Sequence, residues 1–120
     1  MPRVSSGSAR IFYPDFSQEE VIKRIREVTF SLKDELGLVR VALFGSYATG
    51  RQTVASDIDI LIVHEEQICD KDKVYKKLMK SLMLPRVELH IVSKTEYDQI
   101  KSSKWMEAIE KEGKDILKNK

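Results

Sequence analysis

Apolar positions recur at helical spacing through Val21, Ile25, Val28, Leu32 and Leu36, which predicts one buried helix face. Ser17 and Glu20 form the Ser-x-x-Glu pattern of a capping box, and Phe16 and Val21 have the spacing of a hydrophobic staple. Gly37 follows as a left-handed stop, so the first helix is expected over 17–36. The period then changes. Residues 38–44 are nearly all apolar, the pattern of a strand covered on both faces, and the run stops at Gly45-Ser46. A short helix or turn is expected over 47–50, then a polar, mobile loop over 51–56. A second apolar strand is expected over 58–63, ended by His64.

Val74, Leu78 and Leu82 return to helical spacing, predicting a helix over 70–82 that Asp70 or Asp72 can cap. From Arg86 to Val92 the pattern alternates. Val87, Leu89 and Ile91 point one way and Arg86, Glu88 and His90 the other, which predicts a third strand. Thr95 can cap a short helix through Ile100. Ser102-Ser103 reads as a break, and 104–112 as a last helix with Trp105, Ala108 and Ile109 inward and Gly113 as its cap. Residues 114–118 fit either an edge strand or a frayed end. This order of elements implies an α/β domain, a small mixed β-sheet with helices packed on it. The Ser-containing stretch 1–16 has little to bury and is expected to be a mobile tail, with Ile11, Phe12 and Tyr13 able to dock it. The domain is expected over 17–120.

Composition changes this picture little. The chain has 120 residues, 42% hydrophobic and 33% charged, ordinary for one globular domain. Its formal charge of +2 is too small to imply nucleic acid as a partner. Lys73, Lys76, Lys77 and Lys80 form a basic stripe that reads as a solvated helix face. With one cysteine, Cys69, no internal disulfide can form, which fits a reducing, cytoplasmic setting. Cys69 is expected to be a small, half-buried residue rather than a nucleophile. No apolar run approaches the roughly 20 residues of a membrane span, and no signal peptide is expected.

The chemistry concentrates in 43–61. Side chains of a strand alternate, so Asp57 and Asp59 share one face and Ile58 and Ile60 the other. Two like charges on one face are costly unless a cation lies between them, and hard oxygen ligands suit Mg²⁺. Gly45 lets the backbone turn sharply beside a ligand. His64 falls on the face opposite the two aspartates and is not expected to bind metal.

Gly45-Ser46-x-Ala48-x-Gly50-Arg51, followed by Ser56-Asp57-Ile58-Asp59, resembles the minimal nucleotidyltransferases, the small prokaryotic branch of the superfamily that includes DNA polymerase beta. The likeness runs over about 17–116. It implies the nucleotidyltransferase fold and a third carboxylate from the strand beside the Asp-x-Asp strand, the position of Glu88. Aspartate is commoner there, and an ion pair with Arg86 or a lysine is the competing role for Glu88. The resemblance further implies a metal site of Asp57, Asp59 and Glu88 holding two Mg²⁺ ions. Gly45 and Ser46 would grip the phosphates of ATP or another nucleoside triphosphate, and Arg51 either meets phosphate or is solvated. His90 either contacts Glu88 or a substrate, or serves as a satisfied structural histidine, the preferred role.

The implied activity is transfer of a nucleoside monophosphate, AMP on family grounds, to a hydroxyl acceptor. The chain shows no second domain to carry that acceptor, so a partner protein is expected to bring it. Small proteins of this branch are often paired with an all-helical HEPN partner in what looks like a toxin–antitoxin system. The alternative is an antitoxin-like binding module that neutralises such a partner without catalysis.

Overall fold

The structure is a computed structural model and describes residues 17–51 and 56–118. The expected tail 1–16, with the Phe16 half of the staple, and loop residues 52–55 lie outside the described residues. Helix α1 (Gln18–Leu36) begins where its cap dictates. Ser17 Oγ accepts from the Glu20 N–H at 3.1 Å, and the Glu20 carboxylate accepts from the Ser17 N–H at 2.9 Å. Gly37, at φ 65°, ends it. Then follow β1 (Leu38–Phe44), α2 (Ser46–Thr49), β2 (Ile58–His64), α3 (Lys71–Leu82), β3 (Val87–Ser93), α4 (Lys94–Ile100), α5 (Lys104–Glu112) and β4 (Lys114–Lys118). Asp70 caps α3 by accepting from the Lys73 N–H at 2.8 Å.

The four strands form one mixed sheet in the order β3-β2-β1-β4. β1 is antiparallel to both β2 and β4, and β2 is parallel to β3. The α/β class with a small mixed sheet is therefore the observed one. α1 and α3 cover one face, burying Val21 and Ile25 of α1 and Val74, Leu78 and Leu82 of α3 against Val41, Leu43, Ile58, Ile60 and Ile62. On the other face Met106 and Ile109 of α5 pack on Ala42, Leu61 and Val63, with Tyr97 and Ile100 of α4 at the margin. Both faces are covered, which explains the unbroken apolar runs of β1 and β2.

One charged residue sits inside this cover. The register slips between Leu38 and Arg40, a bulge that brings Arg40 to the α4–α5 side. Arg40 is 3% exposed. It donates to both carboxylate oxygens of Glu110 at 2.8 and 3.0 Å, to Asp115 at 2.7 Å and to the Tyr97 hydroxyl at 2.9 Å. Burial works against its charge, but the bonds to Glu110 and Asp115 outweigh that and hold the guanidinium above its ordinary range. The bond from Arg40 in turn holds the Glu110 carboxyl below its ordinary value. The cluster ties α4, α5 and β4 to β1.

Three expectations need correction, and one open alternative is resolved. Ser93, not Thr95, caps α4, in a second capping box with Glu96; Thr95 instead donates to Glu66. α5 turns Met106 and Ile109 inward, while Ala108 is exposed and Trp105 is 40% exposed. Arg86 is not in the strand: its backbone is left-handed at φ 55°, so it does not share the alternation of Glu88 and His90. Residues 114–118 are an edge strand, not a frayed end. Gly113 does cap α5, but in extended conformation. A Cβ there would lie 2.5 Å from the Ile109 carbonyl oxygen and 3.2 Å from that of Leu43, so its glycine serves close approach rather than a left-handed turn.

Candidate functional site

The site lies where β1 ends and β2 and β3 begin. β1 stops at Gly45, whose backbone (φ 78°, ψ −154°) is open to glycine and hardly to any other residue. α2 follows at once, with Gly45 and Ser46 exposed to solvent and Tyr47 and Ala48 buried beneath them. Gln18 of α1 fixes this turn from behind, donating to the carbonyls of Tyr47 at 2.7 Å and Ala48 at 3.0 Å. The Arg51 N–H donates to the Ser46 carbonyl at 3.0 Å, and the Arg51 guanidinium donates to Thr49 Oγ1 at 3.1 Å. Arg51 is exposed beside α2, with its side chain turned back on the helix.

The carboxylates come from the next two strands. Asp59 on β2 stands opposite Glu88 on β3 in the parallel register, and Leu61 stands opposite His90. Alternation then puts Asp59, Glu88 and His90 on the same sheet face. His90 Nε2 lies 3.4 Å from Asp59 Oδ1 and 3.8 Å from Glu88 Oε1. One donor atom from each of these three falls within 4.8 Å of the others, a spacing that can hold a metal ion. Their exposure is graded: the Asp59 side chain is 24% exposed, His90 33% and Glu88 63%.

Asp57 precedes β2 and is placed differently. Its Oδ1 lies 3.6 Å from Arg86 Nε, both side chains half exposed, a pairing of at most about 1 kcal/mol. The arginine expected as a competitor for Glu88 is thus on Asp57. Among the described residues, Asp57 does not join the group formed by Asp59, Glu88 and His90. His64 is buried at the far end of β2, away from this group. Cys69 is buried in the main core, where desolvation pushes its thiol up, so it is no thiolate nucleophile.

Two aromatic rings back the group. Phe44, the last residue of β1, lies 5.0 Å from the His90 ring, centroid to centroid. Trp105 of α5 lies 5.8 Å from both Phe44, edge-on, and His90. Reading the sequence missed Gln18, Phe44 and Trp105 as parts of the site. His90 carried a signal in its parity with Glu88; Trp105 carried none, because its neighbours come from strands far away in sequence.

The family model described as nucleotidyltransferase domain matches residues 22–115. A candidate protein adenylyltransferase of Methanocaldococcus jannaschii is 36% identical over 64 residues, which cover 53% of this chain and 61% of that protein. The chain thus spans about three fifths of that relative's length. Among solved structures, a candidate nucleotidyltransferase of Sulfolobus solfataricus superposes with a TM-score of 0.51 at 24% identity, covering 68% of this chain and 75% of that one. A toxin–antitoxin structure with AMP-PNP gives a TM-score of 0.51 at 21% identity, covering 82% and 74%. At these identities the two structures speak for the fold alone.

Proposed function

Since the chain belongs to the nucleotidyltransferase domain family, we propose that it transfers a nucleoside monophosphate, AMP from ATP, to a hydroxyl on a partner protein. The observation that carries this reading is the register of Asp59 against Glu88 on adjacent parallel strands, directly beside the Gly45 turn. The donor chemistry fits a divalent cation: carboxylate oxygens converge on one face, half open to solvent. Asp59 and Glu88, with Asp57 joining from the head of β2, are the residues that would hold Mg²⁺. Bound there, Mg²⁺ neutralises triphosphate charge and activates the acceptor hydroxyl.

The chain's own residues have separable tasks in this reading. Gly45 and Ser46, exposed at the start of α2, meet the phosphates, and Arg51 adds positive charge once its side chain leaves Thr49. Glu88, the most exposed of the group, faces the acceptor and takes the proton that its hydroxyl gives up. The new bond joins the acceptor oxygen to the α-phosphorus; the bond that breaks joins that phosphorus to the oxygen bridging to the β-phosphate, and pyrophosphate leaves. Most of the rate comes from holding charges in place rather than from covalent chemistry.

For the acceptor, we propose a helical HEPN-type partner. The relative named as a candidate protein adenylyltransferase supports a protein acceptor, and the antitoxin role rests on the motif resemblance, with which the shared fold of the toxin–antitoxin structure agrees. AMP on a hydroxyl side chain adds negative charge and bulk, enough to disable a nucleic-acid-cutting surface. The test is mass spectrometry of such a partner co-expressed with the wild type and with the Asp57→Asn/Asp59→Asn double mutant. A nucleotide-sized mass gain seen only with the wild type is expected. An unmodified but neutralised partner would mean that the protein acts by binding alone.

A further inference from the structure

We propose that the tightest cation site of this protein is a mixed one, built from Asp59, Glu88 and His90, and that it prefers a first-row transition-metal dication to Mg²⁺. The inference rests on the reading that these acids hold a cation, and adds which residues do so and which ion they select. His90 Nε2 faces Asp59 Oδ1 at 3.4 Å and Glu88 Oε1 at 3.8 Å. Donors around one octahedral ion with bonds of about 2.1–2.2 Å are about 3.0–4.4 Å apart, edge to diagonal, so both separations suit a shared ion. As an N–H that nitrogen donates to Asp59, and as a bare nitrogen it offers its lone pair to an ion held between it and the two carboxylates.

The imidazole is also held in place. Phe44 and Trp105 flank its ring at 5.0 and 5.8 Å, and β3 fixes its backbone two residues from Glu88. A ligand oriented by its surroundings binds better than a free one. Asp57, by contrast, is drawn toward Arg86 and stands outside the group. The ligand set therefore departs from three carboxylates by one nitrogen. Nitrogen shifts preference away from Mg²⁺, which favours all-oxygen shells, and toward later first-row dications in the Irving–Williams order.

The chain has one tryptophan, and it is Trp105, beside His90. Its emission reports cation binding without any turnover, since Co²⁺ quenches by its open d shell while Mg²⁺ does not. The experiment titrates Co²⁺ and Mg²⁺ chloride separately into wild type, His90→Gln and Asp59→Asn, following heat, Trp105 emission and the visible Co²⁺ bands. Urea unfolding confirms that each variant is folded. The wild type is expected to bind Co²⁺ about tenfold or more tighter than Mg²⁺, with quenching. His90→Gln should lose about tenfold or more of Co²⁺ affinity, and its bands should shift, while Mg²⁺ affinity changes less than about threefold. Equal affinity for the two ions in wild type overturns the proposal, as does unchanged Co²⁺ binding in His90→Gln. If, in that last case, Asp59→Asn still abolishes binding, the acids hold the cation and His90 only packs. If Asp59→Asn leaves both ions bound as in wild type, the proposal and the underlying reading fall together. Should His90→Gln fail to fold, the wild-type Co²⁺ bands decide alone, since an all-oxygen shell and a nitrogen-containing one absorb at different wavelengths.

Discussion

A β-carbon placed on Gly45 would lie 2.6 Å from Asp59 Oδ2. The turn that ends β1 and the acidic strand β2 are therefore fitted to each other directly, and the absent side chain of Gly45 is what lets the Asp59 carboxylate rest against the turn. The two halves of the sequence motif, represented by Gly45 and Asp59 fourteen positions apart along the chain, are one contact in space. The exposed backbone of the turn and the Asp59 carboxylate are thereby held at a fixed separation.

Gly45→Ala is accordingly expected to cost about 1–3 kcal/mol in stability, from backbone strain at φ 78°, and to weaken cation binding by displacing Asp59. Urea unfolding and calorimetry of the same preparation check both. A variant as stable as wild type with equal affinity would mean that the turn yields easily and does not set the carboxylate's position.

Asp59→Asn is expected to weaken binding of Mg²⁺-ATP by about tenfold or more, and more than Asp57→Asn does, because Asp57 already pairs with Arg86 at the exposed head of β2. Neither change should unfold the domain, since Asp59→Asn removes one of several clustered like charges and Asp57→Asn loses only an exposed pairing with Arg86 of at most about 1 kcal/mol. Calorimetry on the two single mutants decides it; a larger loss in Asp57→Asn would reverse the ranking.

Glu88→Gln is expected to lower turnover far more than nucleotide affinity, as suits a group serving the acceptor. The Glu88 side chain is 63% exposed, so the fold should tolerate the change. Steady-state kinetics with a separate nucleotide-binding measurement distinguishes the two; equal losses in both would make Glu88 a nucleotide-binding group instead.

Acidification should weaken the fold through Glu110. Its bond from Arg40 depresses its carboxyl below the ordinary 4.5. The folded state therefore binds the proton more weakly than the unfolded one. The resulting stability is fully present above 4.5 and is lost as pH falls through the depressed folded value. Glu110→Gln should be less stable than wild type at pH 7, and the gap should narrow by pH 3. Urea unfolding at both values tests this, and a gap that does not change with pH would contradict it.

Much of this was written in local pattern. The helix α1 with its capping box and the strands β1 and β2 depend on neighbours within a few residues, and Gly45-Ser46 and Asp59 stand out as a motif along the chain. What escaped depends on contacts between distant elements. Trp105 and Met106 are adjacent, and helical spacing allows either to lead the inward stripe of α5; packing on Leu61 and Val63 selects Met106 and leaves Trp105 to lean on Phe44 and His90. Arg40 is the one charged residue in the apolar run 38–44, and its neighbours in sequence assign it no partner. The bulge after Leu38 and the carboxylates of Glu110 and Asp115 make it an anchor instead. Arg86 continued the alternation on paper, but a left-handed backbone at φ 55° turned it out of β3 and toward Asp57.

Nucleotidyl transfer through the carboxylates is the central claim, and the position of a label tests it most directly. Wild type and Asp57→Asn/Asp59→Asn are incubated with Mg²⁺, the co-purified helical partner and ATP labelled at either the α- or the γ-phosphate. Label from the α position, and none from the γ position, is expected on the partner with wild type alone. Transfer of γ label, or α label of equal intensity with the double mutant, would contradict the account.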